Sequence, residues 1–310
     1  MRVMTLALAA ALQVNFAYAE NGIFPKLDNL VGVSQLLTND FMGDGQDRWR
    51  TGSYALSYTF GDSVENGLPG RPWQLMEYRF RAEILAPENL TLPIAFPDRP
   101  YAGVLGFGAF THFKTERFNY SFGGELVFVG PSTGLGDFQS NLHDIMNIGQ
   151  PQMLADQLPD KIYPTVQGEI AHDFFTLGDR QTLIRPFVEA QAGIETYARA
   201  GVDIVFGNGF QRGFFTRDPN TGFLLSNARR GNTRNFGFML GGDVAYVADS
   251  HLLPESRGYT VRSVRPRVRA GMVYEGDSFG LFYGATWLGR EFEAQRESQV
   301  VGSVRLSLRF

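Results

Sequence analysis

Two short stretches gather the side chains with chemical reach. The first runs Thr38-Asn39-Asp40-Phe41-Met42-Gly43-Asp44-Gly45-Gln46-Asp47-Arg48-Trp49-Arg50-Thr51-Gly52-Ser53. Asp40, Asp44 and Asp47, with Asn39 beside them, offer the hard oxygen donors that Ca²⁺ takes. The spacing is not that of an EF-hand, because the Glu at the twelfth position is missing, and a solvated acidic turn has the same composition. The second stretch runs Gly130-Pro131-Ser132-Thr133-Gly134-Leu135-Gly136-Asp137-Phe138-Gln139-Ser140-Asn141-Leu142-His143. Gln139 and His143 stand four apart and share one face of a helix. A histidine so placed can take a proton from water as a general base, or serve only as a structural hydrogen-bonder. The remaining histidines are less suited, with His112 and His172 inside predicted strands and His251 in a loop.

The elements that must hold these residues are strands. Met76, Tyr78, Phe80, Ala82 and Ile84 alternate with Glu77, Arg79, Arg81 and Glu83, which puts an apolar and a charged wall on opposite faces. Ile184, Val188, Ala190 and Ile194 stand likewise against Arg185, Glu189, Gln191 and Glu195, and Val264, Val268, Ala270 and Met272 against Arg265, Arg267 and Arg269. Segments of this kind recur near 30–38, 51–61, 73–86, 101–113, 117–129, 165–177, 182–196, 198–206, 235–247, 260–275, 278–289 and 299–310. That makes twelve, and an even count is what a closed bacterial barrel requires. Arg in lipid costs about 2–4 kcal/mol at the midplane, so the charged faces are expected inside a narrow lumen and paired there. Residues 130–164 break the rhythm with a long loop whose middle is helical, with Phe138, Leu142, Ile145 and Met146 on one face and Asp137 as its N-cap.

Both ends of the sequence agree with export. Met1-Arg2, the apolar run Val3–Val14 and Ala17-Tyr18-Ala19 read as a signal peptide over 1–19, leaving 20–310 as one barrel domain. The last residues, Val304, Leu306, Leu308 and Phe310 alternating with Ser303, Arg305, Ser307 and Arg309, form an outer-membrane type of closing strand. With 36 Gly, 27 Phe and 12 Tyr the composition suits aromatic girdles and strand bends. The absence of Cys removes disulfides, thiol catalysis and Cys-ligated metals. A net charge of −4 without any Lys/Arg block gives no basis for nucleic-acid binding. No stretch is long and apolar enough for a membrane helix.

The order of four blocks carries more than any one of them: Asn39-Asp40, Asp47-Arg48-Trp49-Arg50-Thr51-Gly52, Asp98-Arg99-Pro100-Tyr101-Ala102-Gly103, and Gly130-Pro131 through Gln139 and His143. Together they resemble the lipid A 3′-O-deacylase family of Gram-negative outer membranes. The resemblance implies an all-β, twelve-stranded antiparallel transmembrane barrel with a helix-containing loop. It also implies a Ca²⁺-dependent esterase that removes the 3′ acyloxyacyl chain of lipid A. It implies roles for Asn39, Asp40, Thr51, Gln139 and His143, with Asp40 and Asn39 at the ion and His143 activating water. The site is expected on the loops and the inner wall, with lipopolysaccharide of the outer leaflet as partner. The chain departs from the family at Arg50, where an aromatic is usual, at Gly149, where an acid can stand, and in lacking a Trp within Gln152–Leu158. An outer-membrane phospholipase A would share barrel, Ca²⁺ and lipid substrate, but it pairs Ser with its His, whereas His143 is followed by Asp144. A catalytically inert barrel or pore is the remaining alternative.

Overall fold

The computed structural model describes residues 29–61, 67–90, 98–147, 149–175, 182–207, 214–226, 235–275 and 279–308. The signal segment 1–19 and Phe310 lie outside them. In chain order the strands are β1 (Leu30–Asn39), β2 (Trp49–Gly61), β3 (Leu75–Ala86), β4 (Ala102–Lys114), β5 (Asn119–Val129), β6 (Lys161–Ala171), β7 (Phe174–Phe175), β8 (Thr182–Ala192), β9 (Glu195–Phe206), β10 (Phe215–Arg217), β11 (Leu224–Ser226), β12 (Asn235–Ser250), β13 (Val264–Glu275), β14 (Phe279–Leu288) and β15 (Gln299–Leu308). One α-helix, α1, spans Leu135–Met146.

Thirteen strands join one antiparallel sheet; β7 is a two-residue flap beside β8, so twelve make the wall. The wall closes where β6 meets β8 and where β1 meets β15, with Leu37 opposite Val304 and Asn39 opposite Gly302. No helix among the described residues is long and apolar enough to cross a membrane; the strands do the crossing. The loops 40–48, 251–263 and 289–298 and the connections that leave Ala86 and Val129 share one rim, which the long-loop rule makes the extracellular one.

Alternation decides the faces. Val268, Leu240, Phe238, Phe107 and Phe122 are exposed outward, as a hydrocarbon belt demands, while Arg79, Arg81, Arg267 and Arg269 are buried inside. Their counter-ions are Glu77 for Arg79 at 3.0 Å, Glu125 for Arg81 at 2.7 Å, and Asp243 and Asp203 for Arg267 and Arg269. Arg79 and Arg81 find acids on their own or a nearby strand. Asp203 and Asp243 come from β9 and β12, and no alternation pattern names them as partners.

The lumen also holds a hairpin, β10–β11, which lies between β9 and β12 in the chain. Phe223, Leu224 and Leu225 pack there on Leu36, Leu183, Val205, Met239, Val273 and Phe282, a small apolar core enclosed by the wall. Its tip is tied by Arg267, which donates to the carbonyls of Pro219 and Asn220 at 2.7 and 2.9 Å. Its base is tied by Arg217, which donates to Asp203 at 2.9 Å. A cavity of about 60 Å³ beside the tip, lined by Arg50, Glu195, Asn220 and Arg267 among others, has room for about two waters. A barrel filled in this way is ill suited to conduct solutes.

Strand boundaries follow the alternation within about three residues except at β6, which runs 161–171 rather than 165–177, at β8, which ends at 192 rather than 196, and at β13, which starts at 264 rather than 260. Ile194, expected on the apolar face of β8, is buried between β8 and β9, and Glu195 opens β9. Pro164 lies inside β6, and a proline argues against a strand interior in a sequence reading.

Candidate active site on the outer wall

The site begins with a parity. Asn39 pairs with Gly52 and Gly302 and shares its face with Leu37 and the exposed Val33, so it stands on the lipid side of the wall. Its neighbour Thr38 points the other way and meets the Ser303 hydroxyl in the lumen at 2.8 Å. The expectation of an inner-wall site is therefore corrected: these residues gather on the outer face of the extracellular rim. The reason is the two-residue period of a strand, which puts Asn39 with the apolar positions of β1.

A register shift between Arg50 and Gly52, with Trp49 at φ 52°, kinks the start of β2. Arg50 turns into the lumen, where it binds Glu83 and Glu291. Its position, aromatic in the family pattern, is here part of the lumen ion network. Thr51 stays at the rim, and its carbonyl accepts from Asn39 Nδ2 at 2.8 Å and from the Asp40 amide at 3.2 Å. The buried Gln299 side chain fills the kink. It donates to the Arg48 carbonyl at 2.6 Å, accepts from the Arg50 amide at 3.2 Å and reaches Asp40 Oδ2 at 3.4 Å.

The loop after β1 drapes over β15. A Cβ at Gly302 would lie 2.4 Å from the Met42 carbonyl oxygen, and one at Gly43 would lie 2.2 Å from that of Val300, so neither position has room for a side chain. Asp44 clamps the contact, donating its amide to Val300 O and accepting from Val300 N, both at 3.1 Å. Asp40 is thereby fully buried. Its carboxylate accepts backbone amides of Phe41 at 2.9 Å and Arg48 at 2.6 Å. Burial outweighs those two bonds and, with Asp47 and Asp44 adding repulsion, pushes its pKa up to about 8. The Arg48 guanidinium does not answer that charge; it is drawn to Glu297 at 2.6 Å and Asp44 at 3.4 Å.

Above this corner lies α1, packed on the outer face of β4 at Gly103, where a Cβ would meet Thr133 Oγ1 and Leu135. The helix starts after Gly134, which caps it in the left-handed conformation; Asp137, expected as the cap, sits in the first turn, where its charge suits the helix dipole. Gln139 and His143 are the buried residues of the helix. His143 Nδ1 lies 2.8 Å from the Gly149 carbonyl, which can only accept, so Nδ1 carries a proton and in the neutral ring Nε2 has the lone pair. The position where the family can carry an acid thus holds the imidazole here through its backbone carbonyl. Nε2 faces Asp47 Oδ2 at 3.6 Å. Burial raises the Asp47 pKa, against the pull of His143 and of the nearby Thr51 hydroxyl. Thr51 Oγ1 is nonetheless out of hydrogen-bond geometry, as are the buried Gln139 Oε1 and Tyr101 hydroxyl.

The donors at this corner are hard oxygens: Asp40, Asp47, the Asn39 amide, the Thr51 hydroxyl and Gln139 Oε1. A buried carboxyl with no arginine opposite it, beside a second carboxylate and unsatisfied oxygens, fits a hard divalent cation. Among the described residues no three His, Asp or Glu side chains converge at metal-ligand spacing. A cation would complete its shell from amide, hydroxyl, carbonyl or water oxygens.

Residues 4–310 match the model of a family described as outer membrane protein LpxR. The chain belongs to that family. A solved structure, LpxR from Salmonella typhimurium, superposes with a TM-score of 0.75 at 15% identity, covering 90% of this chain and 100% of that one. At that identity it bears on the fold, and the twelve-stranded outer-membrane barrel is common to both. A bacterial polysaccharide outer membrane secretin aligns over 92% of this chain and 100% of its own at 9% identity, with a TM-score of 0.39, too low to carry an argument. No curated protein sequence matches.

Within this LpxR-family barrel, the four motif blocks divide their labour. Asn39 and Asp40 meet at the Thr51 carbonyl, and His143, with Gln139 on the same buried helix face, reaches that loop through Asp47. The Asp98-Arg99 block is scaffold: Asp98 accepts from Trp49 Nε1 at 3.3 Å and from the Glu88 amide at 2.6 Å, and Arg99 pairs with Glu291 at 2.7 Å. Two residues of the site had no role in the sequence reading, Tyr101 beneath the helix and Gln299 from the last strand, while Asp47, read there as one of three candidate Ca²⁺ donors, stands beside the imidazole. Asp47 and Tyr101 lie inside quoted motifs; Gln299 carries no local signal at all.

Proposed function

We propose that this protein is a lipid A 3′-O-deacylase, an outer-membrane esterase that uses Ca²⁺ and a histidine-activated water to release the 3′ acyloxyacyl chain. Membership of the LpxR family supports a lipid A deacylase type of hydrolase at the outer membrane. The finer reading rests on one observation: an imidazole with a bare Nε2 beside Asp47, on the membrane side of the wall. A lumen site would meet solutes, whereas an outer-wall site meets lipid.

His143 Nε2 accepts a proton from a water as that water attacks the ester carbonyl. Gly149 holds the ring in its orientation, and the Asp47 carboxylate stabilises the imidazolium that forms. On collapse the sugar oxygen leaves and takes the proton back from Nε2, so water and ester become fatty acid and alcohol. Asn39 and Thr51 brace the loop that carries Asp40, and Gln139 offers its free amide oxygen at the same face. A bound Ca²⁺ held by Asp40 and Asn39 would supply positive charge for the oxyanion. Mass spectrometry of lipid A from a host with and without the gene tests the reading. Loss of a 3′ acyloxyacyl unit is expected; unchanged lipid A with new lysophospholipid would indicate a phospholipase, and no change in either lipid an inert barrel.

A further inference from the structure

Helix α1 has three sides, not two. At 100° per residue, Phe138, Leu142, Ile145 and Met146 fall within an arc of about 100°. Gln139 and His143 occupy the next arc and are buried against the wall. Asp137, Ser140, Asn141 and Asp144 fill the third. Most of the apolar arc is not covered by protein: Phe138 is 57% and Ile145 71% exposed, with Leu142 half-buried between them. An amphipathic helix on a soluble domain would bury that arc, so the arrangement is inverted on one side and normal on another.

The surroundings say what each arc faces. The helix rests on Gly103, an outward position of β4. Further down the same strand the outward positions are Leu105 and the exposed Phe107, about 13 Å below Gly103 along the strand at some 3.3 Å per residue. Phe107 belongs to the lipid-facing belt. The apolar arc of α1 stands on the same outer face of the wall as that belt, while Asp137, Asn141 and Asp144 are exposed on the far side of the helix from the wall. A helix with wall on one side, apolar residues on the second and carboxylates on the third matches a boundary between hydrocarbon and water.

We infer that α1 lies in the membrane–water interface of the outer leaflet, with Phe138, Leu142, Ile145 and Met146 seated in its acyl chains. His143 then stands on the arc between lipid and wall. Resting on the deacylase reading, a membrane-resident ester reaches Nε2 sideways from the leaflet, without leaving the bilayer.

The chain has no Cys, so a single introduced thiol can be labelled uniquely. Full-length protein carrying Phe138→Cys, Ile145→Cys, Asn141→Cys or Asp144→Cys, with Phe107→Cys as the lipid reference, is nitroxide-labelled. Each is reconstituted in phosphatidylethanolamine–phosphatidylglycerol vesicles, and collisions with oxygen and with a water-soluble nickel chelate are compared. Labels at 138 and 145 are expected to give an oxygen-to-nickel ratio near that of 107 and several-fold above that at 141 and 144. A ratio at 145 equal to that at 144 would put the arc in water, and protection from both relaxers would put it under protein; either result overturns the inference. The readout does not depend on catalysis, so it stands or falls separately from the deacylase reading.

Discussion

The lumen and the outer-wall corner hold buried acids in opposite ways. Inside, Asp243 faces Arg199, Arg267 and Arg269, at 3.2, 3.0 and 2.5 Å, and Asp203 faces Arg217 and Arg269. Outside, Asp40 is as deeply buried, but its partners are backbone amides and the Gln299 amide. Paired charge gives a rigid wall whose ions have nothing left to offer a ligand. A buried carboxyl without an opposing cation holds a proton by itself and keeps its affinity for a metal ion. The same barrel therefore spends arginines on structure and withholds them from the corner where chemistry is proposed.

The sharpest way to break this contrast is to remove the unpaired carboxyl. Asp40→Asn is expected to lower deacylation by about a hundredfold or more, the scale of losing one oxyanion stabiliser. The variant should be no less stable than wild type in chelator at neutral pH, because no ion pair is lost. A large drop in melting temperature would mean that Asp40 is structural. The complementary change is Asp243→Asn, which leaves three guanidinium groups facing a neutral amide. It should cost about 3–5 kcal/mol in denaturant unfolding and leave the turnover of folded protein unchanged. Equal effects of the two variants on stability would dissolve the distinction.

The raised pKa of Asp40 fixes a sign. With the folded value at about 8 and the ordinary value at 3.8, the folded state favours the protonated form. Stability without cation should therefore fall as pH rises from about 4 through 8 and level off above, a slope that Asp40→Asn removes. Ca²⁺ binding must expel that proton, so its apparent affinity should rise about tenfold per pH unit up to about 8. Calorimetry in two buffers of different ionisation enthalpy reads the released proton. PH-independent affinity between 6 and 8 would contradict the assignment of Asp40 as ligand. The smallest effect belongs to the brace: Gln299→Ala should cost about 1 kcal/mol, read as a several-fold loss in kcat with KM little changed.

Much of the fold was legible because strands announce themselves by alternation, and twelve of them did. The β10–β11 plug was not, since residues 214–226 are too short and irregular to alternate and gain their order only from the enclosing wall. The apolar stripe of α1 was readable in Phe138, Leu142, Ile145 and Met146; its outward direction was not, because periodicity gives a face and not the medium it meets. The side of the wall could have been read from Asn39, which shares parity with Val33 and Leu37. Motif order pointed to Asn39, Asp40, Thr51, Gln139 and His143, yet Gln299, more than two hundred residues after Thr51, reaches the Asp40 corner only because the barrel closes β15 onto β1.

The central claim is that His143, on the outer wall, activates the water that cleaves a lipid A ester. Lipid A is extracted from one host strain making wild type or His143→Ala at equal levels of folded, heat-modifiable barrel, and analysed by mass spectrometry. Wild type should yield lipid A lacking the 3′ acyloxyacyl unit. His143→Ala should leave it intact, with turnover down about a hundred- to ten-thousandfold, the range for losing a general base. Equal deacylation by the two proteins would contradict the account.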